Sequence, residues 1–198
     1  MKRLSFLIAA IFAVAAFVSF GSVSAKDGLA VGATMENFKL MDTSGAEKSF
    51  NDLKGKNGAI LVFLSVQCPV VKGYDERIVQ LAADYAAKGI NVIGINSNST
   101  EAMEKVKAHA AENYKFPVLI DKGNVLADKL GANVTPEIFY LNEKNVLVYH
   151  GAIDNSRNGD SITDNFLRDA VESNLSGKPV AKSSANAFGC TIKRVAKN

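Results

Sequence analysis

Ala59-Ile60-Leu61-Val62-Phe63-Leu64-Ser65-Val66 runs straight into Gln67-Cys68-Pro69. The first eight residues are apolar on both parities. That pattern suits a strand covered on both faces, as in a sheet with helices above and below, rather than a strand with one wet face. Pro69 follows Cys68 directly, and proline is well suited to the first position of a helix, where its missing N–H costs nothing. From Tyr74 onward, Tyr74, Ile78, Leu81, Ala82, Tyr85 and Ala86 recur at helical spacing until Lys88-Gly89 closes the segment. The stretch therefore predicts a central strand feeding an amphipathic helix, with Cys68 at the junction.

Working outward, Asn37 to Met41 alternates polar and apolar residues, and Thr43-Ser44-Gly45 supplies a turn before a second short segment ending at Phe50. This predicts an N-terminal β-hairpin. Downstream, Ile90 to Asn96 predicts a second strand, and Asn98-Ser99-Thr100-Glu101 the cap of a helix carrying Met103, Val106 and Ala110 inward. Phe116 to Ile120 is strand-like, Val125 to Leu130 is a short helix stopped by Gly131, and Glu137 to Leu141 is another strand. The tight link Asn142-Glu143-Lys144-Asn145 makes the following Val146 to His150 its antiparallel neighbour. Thr163 to Leu175 predicts a final helix with Phe166, Leu167, Ala170, Val171 and Leu175 on one side. The expectation is an α/β fold, a mixed central β-sheet flanked by helices, occupying residues 26–180. Residues 181–198 read as an aperiodic C-terminal tail, notable because it carries Cys190.

A thiol at a helix N-terminus faces unpaired backbone N–H groups and the positive end of the macrodipole, and both favour thiolate over thiol. Lys72, one turn on, would add positive charge. A thiolate is the species that attacks disulfides or peroxides, so Cys68 is the candidate nucleophile. The plainer reading is a buried apolar cysteine at a strand end. For Cys190 three readings stand: a resolving partner, with Gly189 freeing the backbone for a close approach; a permanent structural bridge to Cys68; or a free thiol on a mobile tail. A bridge closing so long a loop would be worth on the order of 4 to 5 kcal/mol in the chain-entropy model. Thr135-Pro136 enters a late strand, where proline loses no ladder hydrogen bond, and base rates favour a trans bond there.

Met1-Lys2-Arg3 begins the chain, an apolar run extends from Leu4 to Phe20, and Val23-Ser24-Ala25 supplies small residues for a peptidase. Residues 1–25 thus read as a signal peptide and the protein as exported to the periplasm or beyond, an uncleaved N-terminal anchor being the alternative. After cleavage no membrane contact is expected. An exported compartment is one in which a disulfide between the two cysteines persists. Removing Lys2 and Arg3 leaves 21 basic residues against 20 acidic ones, scattered singly, so nucleic acid is excluded as a partner. His109 and His150 have no metal-ligand spacing to each other or to the cysteines, and no phosphate-cradling glycine loop or nucleophile elbow occurs; no metal or cofactor is expected. Three matches to the Asn-x-Ser/Thr acceptor pattern, at Asn98, Asn133 and Asn174, are as many as chance supplies. Arg157 lies in the polar loop Asp154 to Gly159, as a surface residue or a substrate-side charge.

Four stretches together resemble one family. Phe63 to Lys72 is similar to the strand-to-helix cysteine, and Gly131 to Pro136 to the cis-proline loop, of the peroxiredoxin-like redoxins in the alkyl hydroperoxide reductase and thiol-specific antioxidant group of the thioredoxin superfamily. Tyr149 to Arg157 and Gly189 to Lys193 resemble two further signatures of that group. The resemblance implies a thioredoxin-like fold and a thiol-disulfide oxidoreductase acting on a protein thiol, a disulfide or a peroxide. It implies Cys68 as nucleophile, Cys190 as its partner, and a substrate groove shaped by Pro69, Thr135 and a cis Pro136. Two departures bear on mechanism. Val71 stands where a thioredoxin has its second cysteine and a true peroxiredoxin its peroxidatic one, and of the peroxiredoxin's upstream pattern only Ser65 resembles the threonine. The competing reading is a binding module in which a permanent Cys68–Cys190 disulfide is only structural.

Overall fold

A computed structural model of the protein describes residues 28–196. The segment read as a signal peptide lies outside the described residues.

The stretch that opens the sequence reading forms β3 (Gly58–Leu64), whose seven residues are all buried. Before it come β1 (Lys39–Asp42), β2 (Glu47–Ser49) and the short α1 (Phe50–Leu53). After it come α2 (Pro69–Ala86), β4 (Ile90–Asn96), α3 (Met103–Asn113), β5 (Val118–Ile120), α4 (Val125–Leu130), β6 (Val134–Thr135), β7 (Glu137–Asn142), β8 (Leu147–Gly151), α5 (Phe166–Leu175), β9 (Ser184–Ala185) and β10 (Cys190–Thr191). The main sheet runs β2-β1-β5-β4-β3-β7-β8-β9, and β10 pairs with β6 in a separate two-stranded ribbon. β3 is parallel to β4 and antiparallel to β7, so it sits in the middle of a mixed sheet. The predicted hairpin is present, with Lys39 opposite Ser49.

The two parities of β3 explain its unbroken hydrophobicity. Ile60, Val62 and Leu64 face Val71, Tyr74, Ile78, Leu81 and Tyr85 of α2 and Leu167, Ala170 and Val171 of α5. Ala59, Leu61 and Phe63 face the opposite layer, with Phe50, Leu126, Leu130, Phe139 and Ile192. A strand with one wet face would waste half of those side chains.

Two local expectations need correction. Met103 is 44% exposed, so only Val106 and Ala110 of the predicted inward stripe are buried on α3. The stretch Asn98 to Glu101 does not cap that helix. Its N-cap is Ala102, without a side-chain cap bond, because Glu101 is engaged elsewhere.

The C-terminal segment is stitched to the body. β9 extends the sheet beside β8, with Gly151 opposite Ala185. Gly151 has φ +132, and a Cβ there would lie 1.8 Å from the Ala185 carbonyl oxygen, so the close pairing requires glycine. Beyond β10, Ile192 is 2% exposed and buried in the second core layer.

Candidate active site

Cys68 is the N-cap residue of α2 and Pro69 the first residue inside the helix, as the sequence predicts. The loop that delivers Cys68 is held by a distant carboxylate. Glu101 accepts from the backbone N–H groups of Val66 (3.2 Å) and Gln67 (3.1 Å), from the Ser65 hydroxyl and from the Asn96 amide (2.6 Å). An ionised acceptor makes each of those bonds stronger than a neutral one would. The turn before the helix is thereby fixed.

The Cys68 residue is 1% exposed. Its sulfur lies 3.2 Å from the Thr135 carbonyl oxygen, to which the thiol donates, and 2.6 Å from the Cys190 sulfur; both cysteines are free thiols. Burial alone would push the Cys68 thiol up. Hydrogen bonds from the Cys190 thiol, from the Val71 backbone N–H and from Thr135 outweigh it and hold the Cys68 thiol below its ordinary value. Cys190 moves the other way, raised by burial and by sharing its proton with, and facing the charge on, Cys68. The pair is polarised: of the two sulfurs, the one at the helix mouth is the more readily ionised.

Cys190 is brought there by β10. Its register puts Cys190 opposite Thr135 and Thr191 opposite Val134. Gly189 permits the approach, since a Cβ on it would meet the Thr135 carbonyl oxygen at 1.9 Å. On the other side the Thr135–Pro136 bond is cis, as the family resemblance implies and against the base rate. The Glu137 carboxylate accepts from the N–H groups of Asn133 (2.7 Å) and Val134 (3.1 Å), pinning the loop that leads to this proline.

Cys68, Cys190, Pro69, Thr135 and Pro136 are therefore gathered at one place. Lys72 is in the exposed first turn of α2; its backbone N–H donates to the Cys68 carbonyl (3.3 Å), but among the described residues no hydrogen bond or ion pair joins its ammonium to either sulfur. Arg157 is exposed, its guanidinium 5.8 Å from the centroid of Phe188, whose ring lies 6.2 Å from that of Tyr74. It touches the segment that carries Cys190 rather than a sulfur. The loop bearing Arg157 is fixed by Asp154, which accepts from Tyr74 (3.0 Å) and from Arg77 (2.6 Å). His109 belongs to a cluster with Asp75 and Tyr114 between α2 and α3. His150 stacks on Phe139 with its Nδ1 buried and unpartnered among the described residues. Among the described residues no group of His, Cys, Asp and Glu is arranged to hold a metal ion.

Glu137 and Phe188 carry no local sign of a role at this site, and Glu101 reads locally as part of a helix cap. Glu101 acts across 34 residues on the Gln67 N–H, and no local pattern announces such a contact.

The profile of the AhpC/TSA family matches residues 31–150, more than half of the chain and the whole span from the hairpin to β8. The chain belongs to the AhpC/TSA family. Among curated relatives it is 27% identical over 153 residues to the thiol-disulfide oxidoreductase ResA of Bacillus thuringiensis (strain Al Hakam), covering 74% of this chain and 86% of the relative. Among solved structures it is similar to the hypothetical protein SMc02350 from Sinorhizobium meliloti 1021, with 33% identity and a TM-score of 0.78 over 86% of this chain and 97% of that one. Peroxidoxin BcpB from Mycobacterium tuberculosis shares the fold at 18% identity, with a TM-score of 0.59 over 75% and 97% of the two chains. An AhpC/TSA oxidoreductase with a thioredoxin-like fold is the description these likenesses support.

Proposed function

We propose that this AhpC/TSA chain is an exported thiol-disulfide oxidoreductase in which Cys68 and Cys190 cycle between a dithiol and an intramolecular disulfide. Cys68 is the sulfur that carries the negative charge and acts as nucleophile, and Cys190 is the sulfur it exchanges with. One observation carries the reading: two cysteines far apart in sequence meet at a helix N-terminus in a polarised pair, one thiol lowered and the other raised. A pair with unequal acidity suits exchange chemistry, because the lower-pKa sulfur is the better leaving group. Pro69 is exposed beside the pair, and the buried Thr135 and Pro136 back the two sulfurs from behind. Protein thiols and disulfides are the substrate class, in keeping with the name of the ResA relatives. Export rests on residues 1–25, whose basic start, apolar run and small-residue end have the form of a signal peptide. Peroxide reduction is not proposed, since Val71 stands at the peroxidatic position.

A structural module with a permanent bridge is the second reading, favoured by the burial of Cys68. Mass-spectrometric mapping of both cysteines with and without mild reductant separates the two. The enzyme interconverts fully between dithiol and disulfide in its native fold, and Cys190→Ser abolishes the intramolecular form. A bridge that stays closed until the protein unfolds contradicts the enzyme.

A further inference from the structure

The two sulfurs of the pair differ in what can reach them. Cys68 is 1% exposed, its sulfur bounded by the Thr135 carbonyl, the Val71 N–H and the segment bearing Cys190. Cys190 is partly exposed, in the middle of that segment.

That segment is anchored on both sides of Cys190. Upstream, β9 is paired with β8 and Phe188 packs on Tyr74. Downstream, the Ile192 side chain is buried and its N–H donates to Asn133 (2.9 Å). Lys193 then exchanges backbone contacts with Asn98 and Ser99, its N–H donating to Asn98 Oδ1 (2.9 Å) and its carbonyl accepting from Ser99 (2.8 Å). Arg194 reaches Asp128 (2.9 Å), and the Val195 N–H reaches Asn124 (2.8 Å). Lifting Cys190 away to bare Cys68 would break all of these contacts and draw Ile192 out of the core.

We infer that an external protein dithiol enters the cycle at Cys190, not at Cys68. This rests on the exchange reaction proposed above and reverses the order expected from the sequence, in which Cys68 meets the substrate and Cys190 resolves. The first step forms a bond between a thiolate sulfur of the external dithiol and Cys190 Sγ. The Cys68–Cys190 bond breaks, and its electron pair leaves on Cys68 as thiolate. In the second step the other thiol of the external protein, deprotonated, attacks its own neighbouring sulfur in the mixed disulfide. The bond to Cys190 breaks, and Cys190 leaves with the pair and takes a proton. The external dithiol loses two electrons and two protons and becomes a disulfide; the chain gains the two electrons as the Cys68 thiolate and the Cys190 thiol, and the second proton goes to solvent.

Geometry and charge agree on this direction. The sulfur open to a bulky partner is attacked, and the sulfur held by the Val71 N–H departs. Exchange is fastest when the leaving thiol is the more acidic. Within the pair, Cys68 remains the nucleophile: in the opposite direction it attacks the mixed disulfide on Cys190 and never touches the partner protein.

The test uses the fully oxidised chain and a thioredoxin whose second active-site cysteine is serine, so that the mixed disulfide persists for acid quenching and peptide mapping. The expected result is an adduct on Cys190 exceeding that on Cys68 by roughly tenfold or more. An adduct mainly on Cys68 overturns the inference while leaving the exchange reaction intact. So does the absence of any adduct when dithiothreitol readily opens the bridge. If dithiothreitol cannot open the bridge in the native fold, the exchange reaction itself fails.

Discussion

At the scale of single residues, reactivity turns on how readily the Cys68 thiol ionises. Its folded pKa is lowered, so the dithiol form gains stability from ionisation above the ordinary thiol value of 9.0 and loses it as pH falls through the depressed folded value. The reduced protein is therefore expected to lose stability relative to Cys68→Ser as pH falls through that window, in paired denaturation curves. A Cys68 that titrates above an ordinary thiol would count against the helix-mouth argument. Gly189→Ala tests the approach of Cys190. A Cβ at 1.9 Å from the Thr135 carbonyl cannot be housed without displacing backbone, so disulfide formation under air should slow by an order of magnitude or more while the fold persists. Unchanged closure would show that the contact does not position the sulfur.

Elements carry the next set of consequences. The position of Cys68 was legible in the sequence because strand, cysteine and proline are contiguous and each has a local physical signature. The pairing of β10 with β6 was not legible, because a two-residue strand in a segment rich in Ser, Ala and Lys has no periodicity to read. Gly189 and the family resemblance of Gly189 to Lys193 were the only pointers to it. Nor was the role of Glu101 visible: its stretch has the composition of a helix cap, and tertiary hydrogen bonds override that local preference. Glu101→Ala leaves the Val66 and Gln67 N–H groups without their carboxylate, and should cost about 1–3 kcal/mol of stability by denaturant titration. The loss should be accompanied by a higher Cys68 pKa, a readout that general destabilisation would not move. Ile192→Ala removes the buried anchor behind β10 and should cost about 2–5 kcal/mol.

Across the whole molecule, one core serves two purposes. Its first layer shapes α2 and so aims the dipole at Cys68; its second receives Ile192 and so returns the chain terminus to the same point. The general architecture could be read from the opening strand, since hydrophobicity on both parities demands helices on both faces. Completion of the site could be read only through the family resemblance, which implies Cys190 as the partner of Cys68, because no local pattern carries a return over 122 residues. Closing the bridge across so long a loop should raise native stability by about 4–5 kcal/mol, seen as a higher unfolding midpoint for the oxidised form. Part of that gain opposes reduction, while the stabilised Cys68 thiolate favours it. The balance between them decides whether the pair works as a catalyst or a staple. The direct measurement is a redox titration of the native protein in glutathione buffers, with the fractions of dithiol and Cys68–Cys190 disulfide read by mass spectrometry after acid trapping. A single reversible two-electron transition above about −300 mV is the expected result. A bridge that remains closed throughout, or two thiols that never join, would contradict the account.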